Sequence, residues 1–192
     1  MQKSNIKIIG GKYKGKKLYM GDKKTTRSTK NILKESVFNT LQWEVDNSIW
    51  IEVFSGVGSI GLEAISRGAK KAYFLEKNPE AIKILKKNVN SIEPQKCEII
   101  LGDSFETIWD VIEALKKNKN KAFFYFDPPF IIREGYENIY EKITLLIKKL
   151  PKINVKKILI EHQSNYNFPN NIGLYKKMKT KKFGKSTITY YE

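Results

Sequence analysis

From residue 49 onward, short apolar runs alternate with segments whose apolar residues recur at helical spacing. This alternation is typical of an α/β fold in which a mostly parallel, doubly wound sheet carries helices on both faces. The runs predict seven strands, at 49–54, 72–76, 97–101, 122–126 and 157–161, with two more between 173 and 191. Helices are predicted at 60–67, 79–89, 105–117 and 136–150. The predicted domain of this class covers residues 46–192.

Residues 1–45 are predicted to form a basic extension ahead of the sheet. Apolar pieces at 6–9 and 17–20, separated by glycines, indicate a short β-hairpin, and 28–42 has the spacing of an amphipathic helix. Two faces of this helix are expected: Ile32, Leu33 and Val37 in the core, and Arg27, Lys30 and Lys34 toward phosphate.

The charge of the chain is strongly unbalanced. Thirty-six lysines and arginines oppose 20 acidic residues in 192, for a formal net charge of +16. Such an excess serves either nucleic-acid binding or general solubility, and its concentration at the two ends favours a phosphate-contacting surface. The predicted RNA-binding residues are Lys12, Lys14, Lys16, Lys17, Arg27 and Lys30, and the C-terminal basic residues are Lys176, Lys177, Lys179, Lys181, Lys182 and Lys185.

Several classes of protein are disfavoured by the sequence. No apolar run approaches the roughly 20 residues of a membrane-spanning helix, and the start MQKSNIK lacks the apolar stretch of a signal peptide. We therefore expect a cytoplasmic, monomeric protein with no membrane partner. The single cysteine, Cys97, is expected to be a buried, inert strand residue, and no metal site is predicted. The single histidine, His162, is expected to be structural.

A glycine-rich turn follows the first strand of the sheet. Gly56, Gly58 and Gly61 form the pattern Gly-x-Gly-x-x-Gly between that strand and the next helix. Glycines permit a tight turn and let a ligand approach the backbone at the carboxyl end of the strand. The pattern alone also fits a nicotinamide or flavin enzyme, or a structural turn.

Carboxylates at the strand ends narrow this choice. Glu76 can accept both hydroxyls of a ribose, Asp103 can accept an adenine amino group or cap the following helix, and Glu52 can pair with a cationic amino group. An adenosine ligand without a pyrophosphate would use these contacts. The predicted cofactor-binding residues are Glu52, Phe54, Ser55, Gly56, Gly58, Gly61, Glu76, Asp103 and Ser104.

The sequence Asp127-Pro128-Pro129-Phe130 follows a buried apolar strand and carries the strongest chemical signal. Two prolines fix the backbone and remove two N–H donors, which leaves carbonyls free to accept hydrogen bonds. A carboxylate beside a free carbonyl can hold the two hydrogens of an exocyclic amine, and Phe130 offers a face on which a base can stack. Aligning this nitrogen with the methyl group of S-adenosylmethionine is mainly a matter of positioning. These four residues are the predicted catalytic residues.

Together these segments resemble the RsmD family of bacterial small-subunit rRNA guanine-N2 methyltransferases. The resemblance rests on residues 8–18, 27–29 with 35–39, 54–69, 127–130 and 183–187, in order along nearly the whole chain. It implies a Rossmann-like class I methyltransferase fold with a seven-stranded sheet, S-adenosylmethionine as cofactor and 16S rRNA, within the small ribosomal subunit, as partner. Glu52 stands where the family usually has Asp, and Ser28 stands where a proline is common.

Three alternatives remain at this point. A DNA adenine-N6 methyltransferase would use the same amine chemistry, but no separate target-recognition segment is apparent. A nicotinamide oxidoreductase would leave Asp127 to Phe130 and the basic ends unexplained. A non-catalytic RNA-binding assembly factor would have no need to retain the cofactor positions.

Overall fold

The alternating pattern folds as a single mixed sheet of eight strands in the computed structural model, with a separate two-stranded hairpin. The structure describes residues 3–21, 27–131, 134–152 and 154–192, and for 3–5 and 27–30 it describes the backbone only. The strands are β1 Lys3–Lys7, β2 Lys17–Tyr19, β3 Ile49–Val53, β4 Lys71–Glu76, β5 Cys97–Leu101, β6 Ala122–Phe126, β7 Val155–Gln163, β8 Asn171–Ile172, β9 Tyr175–Phe183 and β10 Ser186–Tyr191. The helices are α1 Arg27–Leu41, α2 Ser59–Ser66, α3 Pro79–Asn90, α4 Ser104–Lys116 and α5 Ile139–Lys149, with 3₁₀ turns at Gln42–Val45 and Pro94–Lys96.

The strand order of the sheet is β5-β4-β3-β6-β7-β10-β9-β8. The first five of these strands are parallel, and β10 runs antiparallel between β7 and β9. The α/β class is confirmed, but the expected count of seven strands was wrong. The eighth, β8, pairs with β9 only at Asn171 and Ile172, a length too short to produce a readable apolar pattern.

Helices cover both faces of the sheet, as predicted. One apolar cluster joins α4 and α5 to the sheet, and the other joins α1, α2, α3 and the hairpin to the opposite face. Trp50 anchors the second cluster, because its ring stacks on Phe38 of α1 at 5.3 Å and on Phe123 of β6 at 5.6 Å. No helix among the described residues is long and apolar enough to span a bilayer.

The faces of α1 differ from the expectation at two positions. Leu33 and Val37 are buried as predicted, whereas Ile32 is 57% exposed. Lys34, expected to face phosphate, is 1% exposed. Its Nζ donates to the Lys7 carbonyl oxygen at 2.8 Å. The buried stripe of α1 therefore runs through 33, 34, 37 and 38, one residue later than the apolar pattern suggested.

Glu63 of α2 is the hub that holds the N-terminal segment. Its fully buried carboxylate accepts from the Ile9 backbone N–H at 2.8 Å and from Arg67 Nε at 2.8 Å, and Lys34 Nζ lies 3.5 Å away. Burial lowers the pKa of Lys34, and the charge of Glu63 opposes that effect. The hairpin, α1 and α2 are thus joined by one buried charged group. The boundary predicted at residue 46 stays a prediction.

Candidate active site

The carboxyl ends of β3, β4, β5 and β6 meet at one edge of the sheet, which we call the carboxyl edge. The chain order reverses between β3 and β6, and open α/β sheets bind ligands at such a point because the adjacent loops diverge. The structure brings to this edge the glycine loop after β3, Glu76 of β4, Asp103 after β5 and Asp127 after β6. Sequence features that are far apart along the chain therefore form a single site.

The glycine loop is shaped by backbone conformations that few residues adopt. Gly56 and Gly58 have φ of 53° and 79°, and Phe54, which is not a glycine, has φ of 67°. A Cβ at Gly58 would lie 2.4 Å from Leu85 Cδ1, and one at Gly61 would lie 2.5 Å from Phe74 Cε1. Among the described residues nothing lies within 4 Å of a Cβ built at Gly56. The loop is thus packed tightly from behind and open at Gly56.

Glu52 ties β3 to the start of α2. Its carboxylate accepts from the backbone N–H of Ile60 at 3.2 Å and of Gly61 at 2.8 Å, and the residue is 4% exposed. Burial raises the pKa of Glu52 to about 8, against the effect of these two hydrogen bonds. Its predicted pairing with a cationic amino group stays a prediction.

We expect Glu52 to make stability depend on pH. The pKa of Glu52 in the folded protein lies above the unfolded value of 4.5. Its contribution to the free energy of unfolding is therefore fully present below pH 4.5 and is lost as pH rises to about 8. The expected loss is at most about 1.4 kcal/mol per pH unit in this window. Urea unfolding from pH 5 to 9 should show a steeper decline for the wild type than for Glu52→Gln. Parallel declines in the two proteins would contradict the assignment.

Two carboxylates occupy the neighbouring strand ends. Glu76 accepts from the Gly56 N–H at 2.7 Å and from the Asn78 N–H at 2.8 Å, so it supports the open side of the glycine loop. Asp103 caps α4 by accepting from the Phe105 N–H at 2.8 Å, which confirms the capping role considered for it. Contact of Asp103 with an adenine amino group stays a prediction.

Aromatic and hydroxyl groups complete this part of the edge. The rings of Phe54 and Phe105 meet edge to face at 5.7 Å. Ser104 is buried in the first turn of α4. The Ser55 hydroxyl is buried without a hydrogen-bond partner among the described residues. A buried orphan hydroxyl is costly, and in a native protein it commonly marks a place where a water or a ligand binds.

Asp127 and the two prolines form the lip that follows β6. The Asp127 backbone N–H lies 3.4 Å from the Val53 carbonyl oxygen, which extends the β3–β6 ladder and places the aspartate beside the start of the glycine loop. Asp127, Pro129 and Phe130 are partly buried, and Pro128 is buried. The predicted catalytic residues therefore border the predicted cofactor loop, and all of them except Pro128 are partly open to solvent.

A buried polar pair lies next to this lip and was not found from the sequence. The Tyr125 hydroxyl donates to Glu161 Oε2 at 2.9 Å, and both residues are buried. Burial, followed by the charge of Glu161, raises the pKa of Tyr125 well above its usual value. The sequence does show Tyr125 and Glu161 as polar residues within two apolar strands. Predicting that they pair requires knowledge of the β6–β7 register.

Comparisons with known proteins identify the family of the chain. A family model described as Conserved hypothetical protein 95 matches residues 6–192. Over 185 residues the chain is 34% identical to ribosomal RNA small subunit methyltransferase D of Buchnera aphidicola subsp. Baizongia pistaciae, covering 93% of this chain and 89% of that protein. The chain belongs to the RsmD family. The resemblance read from the sequence is confirmed.

Solved structures confirm the class I methyltransferase fold. The yhhF protein of Escherichia coli has a TM-score of 0.74 and 24% identity, with 97% of this chain and 96% of that chain covered. An RNA methyltransferase from Salinibacter ruber, in complex with S-adenosyl-L-homocysteine, has a TM-score of 0.57 and 16% identity, with 83% of this chain and 88% of that chain covered. S-adenosylmethionine is the methyl donor of this class, as predicted for the RsmD family.

The described residues fit such a cofactor. The glycine loop is open at Gly56, and the Ser55 hydroxyl has no hydrogen-bond partner among the described residues. Carboxylates lie at the ends of β4 and β5. An adenosine with an amino-acid tail carries hydroxyl, amino and ammonium donors, which match a set of carboxylate acceptors beside an apolar wall.

The predicted RNA-binding lysines of the RsmD-type extension are on the surface. Lys12, Lys14, Lys16 and Lys17 are all exposed. Lys12 Nζ pairs with Glu93 Oε1 at 2.8 Å, so part of its charge is offset. Hydrogen bonds from Lys12 and Lys96 lower the pKa of Glu93 to about 2. The predictions for Arg27 and Lys30 concern side chains outside the described part of the chain.

Two further expectations concern residues away from the chemistry. His162 is 1% exposed, and its ring nitrogens lie 2.9 Å from the Gln163 carbonyl oxygen and 2.8 Å from Thr189 Oγ1, which confirms a hydrogen-bonded structural histidine. The expected full burial of Cys97 was wrong, since the residue is half-buried at the start of β5. Partial burial still raises the pKa of its thiol to about 12. A thiol with that pKa is a poor nucleophile, as expected for an inert residue.

Proposed function

We propose that this chain transfers a methyl group from S-adenosylmethionine to the exocyclic N2 amine of a guanine in 16S rRNA, during maturation of the small ribosomal subunit. The observation that carries the proposal is the position of Asp127-Pro128-Pro129-Phe130 beside the glycine loop at the carboxyl edge. An acceptor for an amine and a cradle for an adenosine cofactor are thereby adjacent.

The cofactor would be held by the glycine loop and the acids around it. Glu76 would accept the ribose hydroxyls and Asp103 the adenine amino group. Glu52 would pair with the charged amino group, whose positive charge favours the ionised form of the Glu52 carboxyl. Ser55, Ser104 and the ring of Phe54 would line the same space. When bound, S-adenosylmethionine supplies a methyl group already activated on a sulfonium sulfur.

The lip after β6 would position the base. The Asp127 carboxylate and a carbonyl oxygen of the Pro128–Pro129 segment would each accept one hydrogen of the amine, while Phe130 stacks on the ring. Asp127 would then take the proton that the nitrogen loses as it is alkylated. A paired guanine hides this amine, so the target base must be unstacked or presented in a loop.

The test is transfer of labelled methyl from S-adenosylmethionine to small ribosomal subunits that lack their modifications, followed by nucleoside analysis. N2-methylguanosine in 16S rRNA would support reaction, cofactor and substrate together. Label appearing in DNA as N6-methyladenine would replace the proposal by the DNA alternative. Cofactor binding without transfer to any nucleic acid would instead favour the non-catalytic assembly factor.

We expect the hairpin lysines to bind phosphates. Replacing Lys12, Lys14, Lys16 and Lys17 together by alanine should weaken binding to 16S rRNA and flatten the dependence of log K on log salt by about one for each phosphate that is no longer neutralised. Filter binding at a series of salt concentrations measures this slope.

The matched control removes the same charge elsewhere. Lys116, at the end of α4, and Lys117, Lys119 and Lys121, between α4 and β6, are all exposed. They belong to the face of the sheet that α4 covers, whereas the hairpin packs on the opposite face. Their replacement by alanine should leave most of the slope intact. Equal decreases of the slope in the two variants would mean that net charge, rather than the hairpin, governs binding.

A further inference from the structure

Asn88 of α3 is a fully buried amide with an unusual set of partners. Its Oδ1 accepts from the Tyr19 backbone N–H at 2.7 Å, and its Nδ2 donates to the Tyr19 carbonyl oxygen at 3.1 Å. The same Nδ2 also donates to the Val57 carbonyl oxygen at 2.9 Å. Both amide hydrogens and one acceptor site are therefore used.

These three bonds join two functional segments. Tyr19 lies in β2 of the basic hairpin, and the amide pairs with both of its backbone groups as a neighbouring strand would. Val57 lies in the glycine loop between Gly56 and Gly58, both of which have positive φ. Since this stretch is built on left-handed glycines, the bond to the Val57 carbonyl restricts a peptide that glycine leaves free to rotate.

Other anchors of the hairpin leave the glycine loop untouched. The Ser66 hydroxyl accepts from the Tyr13 N–H at 2.9 Å and donates to the Gly10 carbonyl oxygen at 2.6 Å. Glu63 accepts from the Ile9 N–H at 2.8 Å. These bonds fix the hairpin to α2, whereas Asn88 fixes it to α3 and to the loop at once.

We propose that Asn88 is a positioning residue that couples the hairpin to the glycine loop, so that RNA bound at the hairpin and cofactor bound at the loop strengthen each other. This inference rests on the proposed function. The physical route is short, since one rigid amide lies between the two backbones. Because coupling between binding sites is reciprocal, the factor by which RNA tightens cofactor binding equals the factor by which cofactor tightens RNA binding.

The residue type matches this role. Leucine at position 88 would keep the volume but leave three backbone groups unpaired, and aspartate would keep the acceptor for Tyr19 while losing both donors. Glutamine would carry the amide one methylene too far. We therefore expect both Asn88→Leu and Asn88→Asp to loosen the loop.

The experiment is calorimetric titration of S-adenosylhomocysteine into the wild type, Asn88→Asp, Asn88→Leu and Ser66→Ala, each with and without protein-free 16S rRNA. In the wild type, RNA should raise the affinity for S-adenosylhomocysteine at least about fivefold. Both Asn88 variants should bind S-adenosylhomocysteine about tenfold more weakly without RNA, a decrease typical of buried polar groups left unpaired, and should lose the enhancement. Ser66→Ala, which weakens the hairpin anchor alone, should keep wild-type affinity for S-adenosylhomocysteine.

Each outcome decides the inference. An Asn88 variant that binds S-adenosylhomocysteine as tightly as the wild type, or a wild type whose affinity RNA does not change, would overturn it. The wild-type measurement stands even if both Asn88 variants fail to fold. A wild type that binds no S-adenosylhomocysteine would instead overturn the proposed function, while binding and methylation without coupling would overturn only the role of Asn88.

Discussion

Asp127→Ala is expected to reduce methyl transfer to 16S rRNA by a factor of roughly 10² to 10⁴ while leaving S-adenosylhomocysteine affinity unchanged. The magnitude is that of losing a positioned proton acceptor, together with one of two groups that hold the amine. Cofactor affinity should be spared because Asp127 follows β6, whereas the predicted cofactor-binding residues lie on or after β3, β4 and β5. Single-turnover transfer of labelled methyl and calorimetric titration measure the two quantities separately.

Two companion variants sharpen this prediction. Asp127→Asn keeps an acceptor oxygen but is a far weaker base, so it should fall between the wild type and Asp127→Ala. Asp110→Ala removes an exposed carboxylate from α4 and should retain full activity. Wild-type rates in Asp127→Ala would remove the aspartate from the mechanism, and a parallel decrease in cofactor affinity would assign it to cofactor binding instead.

Glu63→Leu is expected to lower the free energy of unfolding by about 3–5 kcal/mol. The substitution leaves Lys34 buried without its opposing carboxylate, and it removes the acceptor for the Ile9 N–H and for Arg67. Removing one partner of a buried ion pair lowers the free energy of unfolding far more than removing one partner of an exposed pair, because the remaining buried charge cannot regain its hydration. Urea unfolding followed by circular dichroism measures the change.

The control is an ion pair of the same type on the surface. Glu80 and Lys83 are paired at 2.7 Å with side chains 75% and 64% exposed, so Glu80→Leu should cost less than about 1 kcal/mol. Adding Lys34→Met to Glu63→Leu should recover part of the stability, because the uncompensated charge is then gone. If Glu63→Leu and Glu80→Leu cost the same, Glu63 is not the hub of the N-terminal segment.

The elements of the site could be placed from the sequence because their signals are local. A glycine pattern after an apolar run, and an Asp-Pro-Pro-aromatic segment after another, each carry their own backbone constraints. Parallel strands then bring their carboxyl ends together without further information. Gly56, Glu76, Asp103 and Asp127 were each placed at the end of a strand from the sequence, and the parallel sheet brings those four ends to one edge.

Features that depend on pairing across the fold could not be read in this way. The burial of Lys34 depends on Glu63, which lies in the next helix of the chain, so the lysine looked like a surface residue and Ile32 took its place in the predicted core. The local sequence of α3 gives no sign that Asn88 contacts β2 and the glycine loop, because both are distant from it along the chain. The two-residue strand β8 exists only because β9 offers an edge.

The open edge of β9 affects how copies of the chain interact with one another. β8 covers β9 only at Tyr175 and Lys176, so among the described residues the rest of β9 has β10 as its single neighbouring strand. An open strand edge is a template on which another chain can pair and aggregate. The sequence of β9, YKKMKTKKF, puts a positive charge at almost every second position of this template. Two such edges repel, so we expect the lysines of β9 to disfavour pairing of two copies at this edge, whether or not they contact a phosphate.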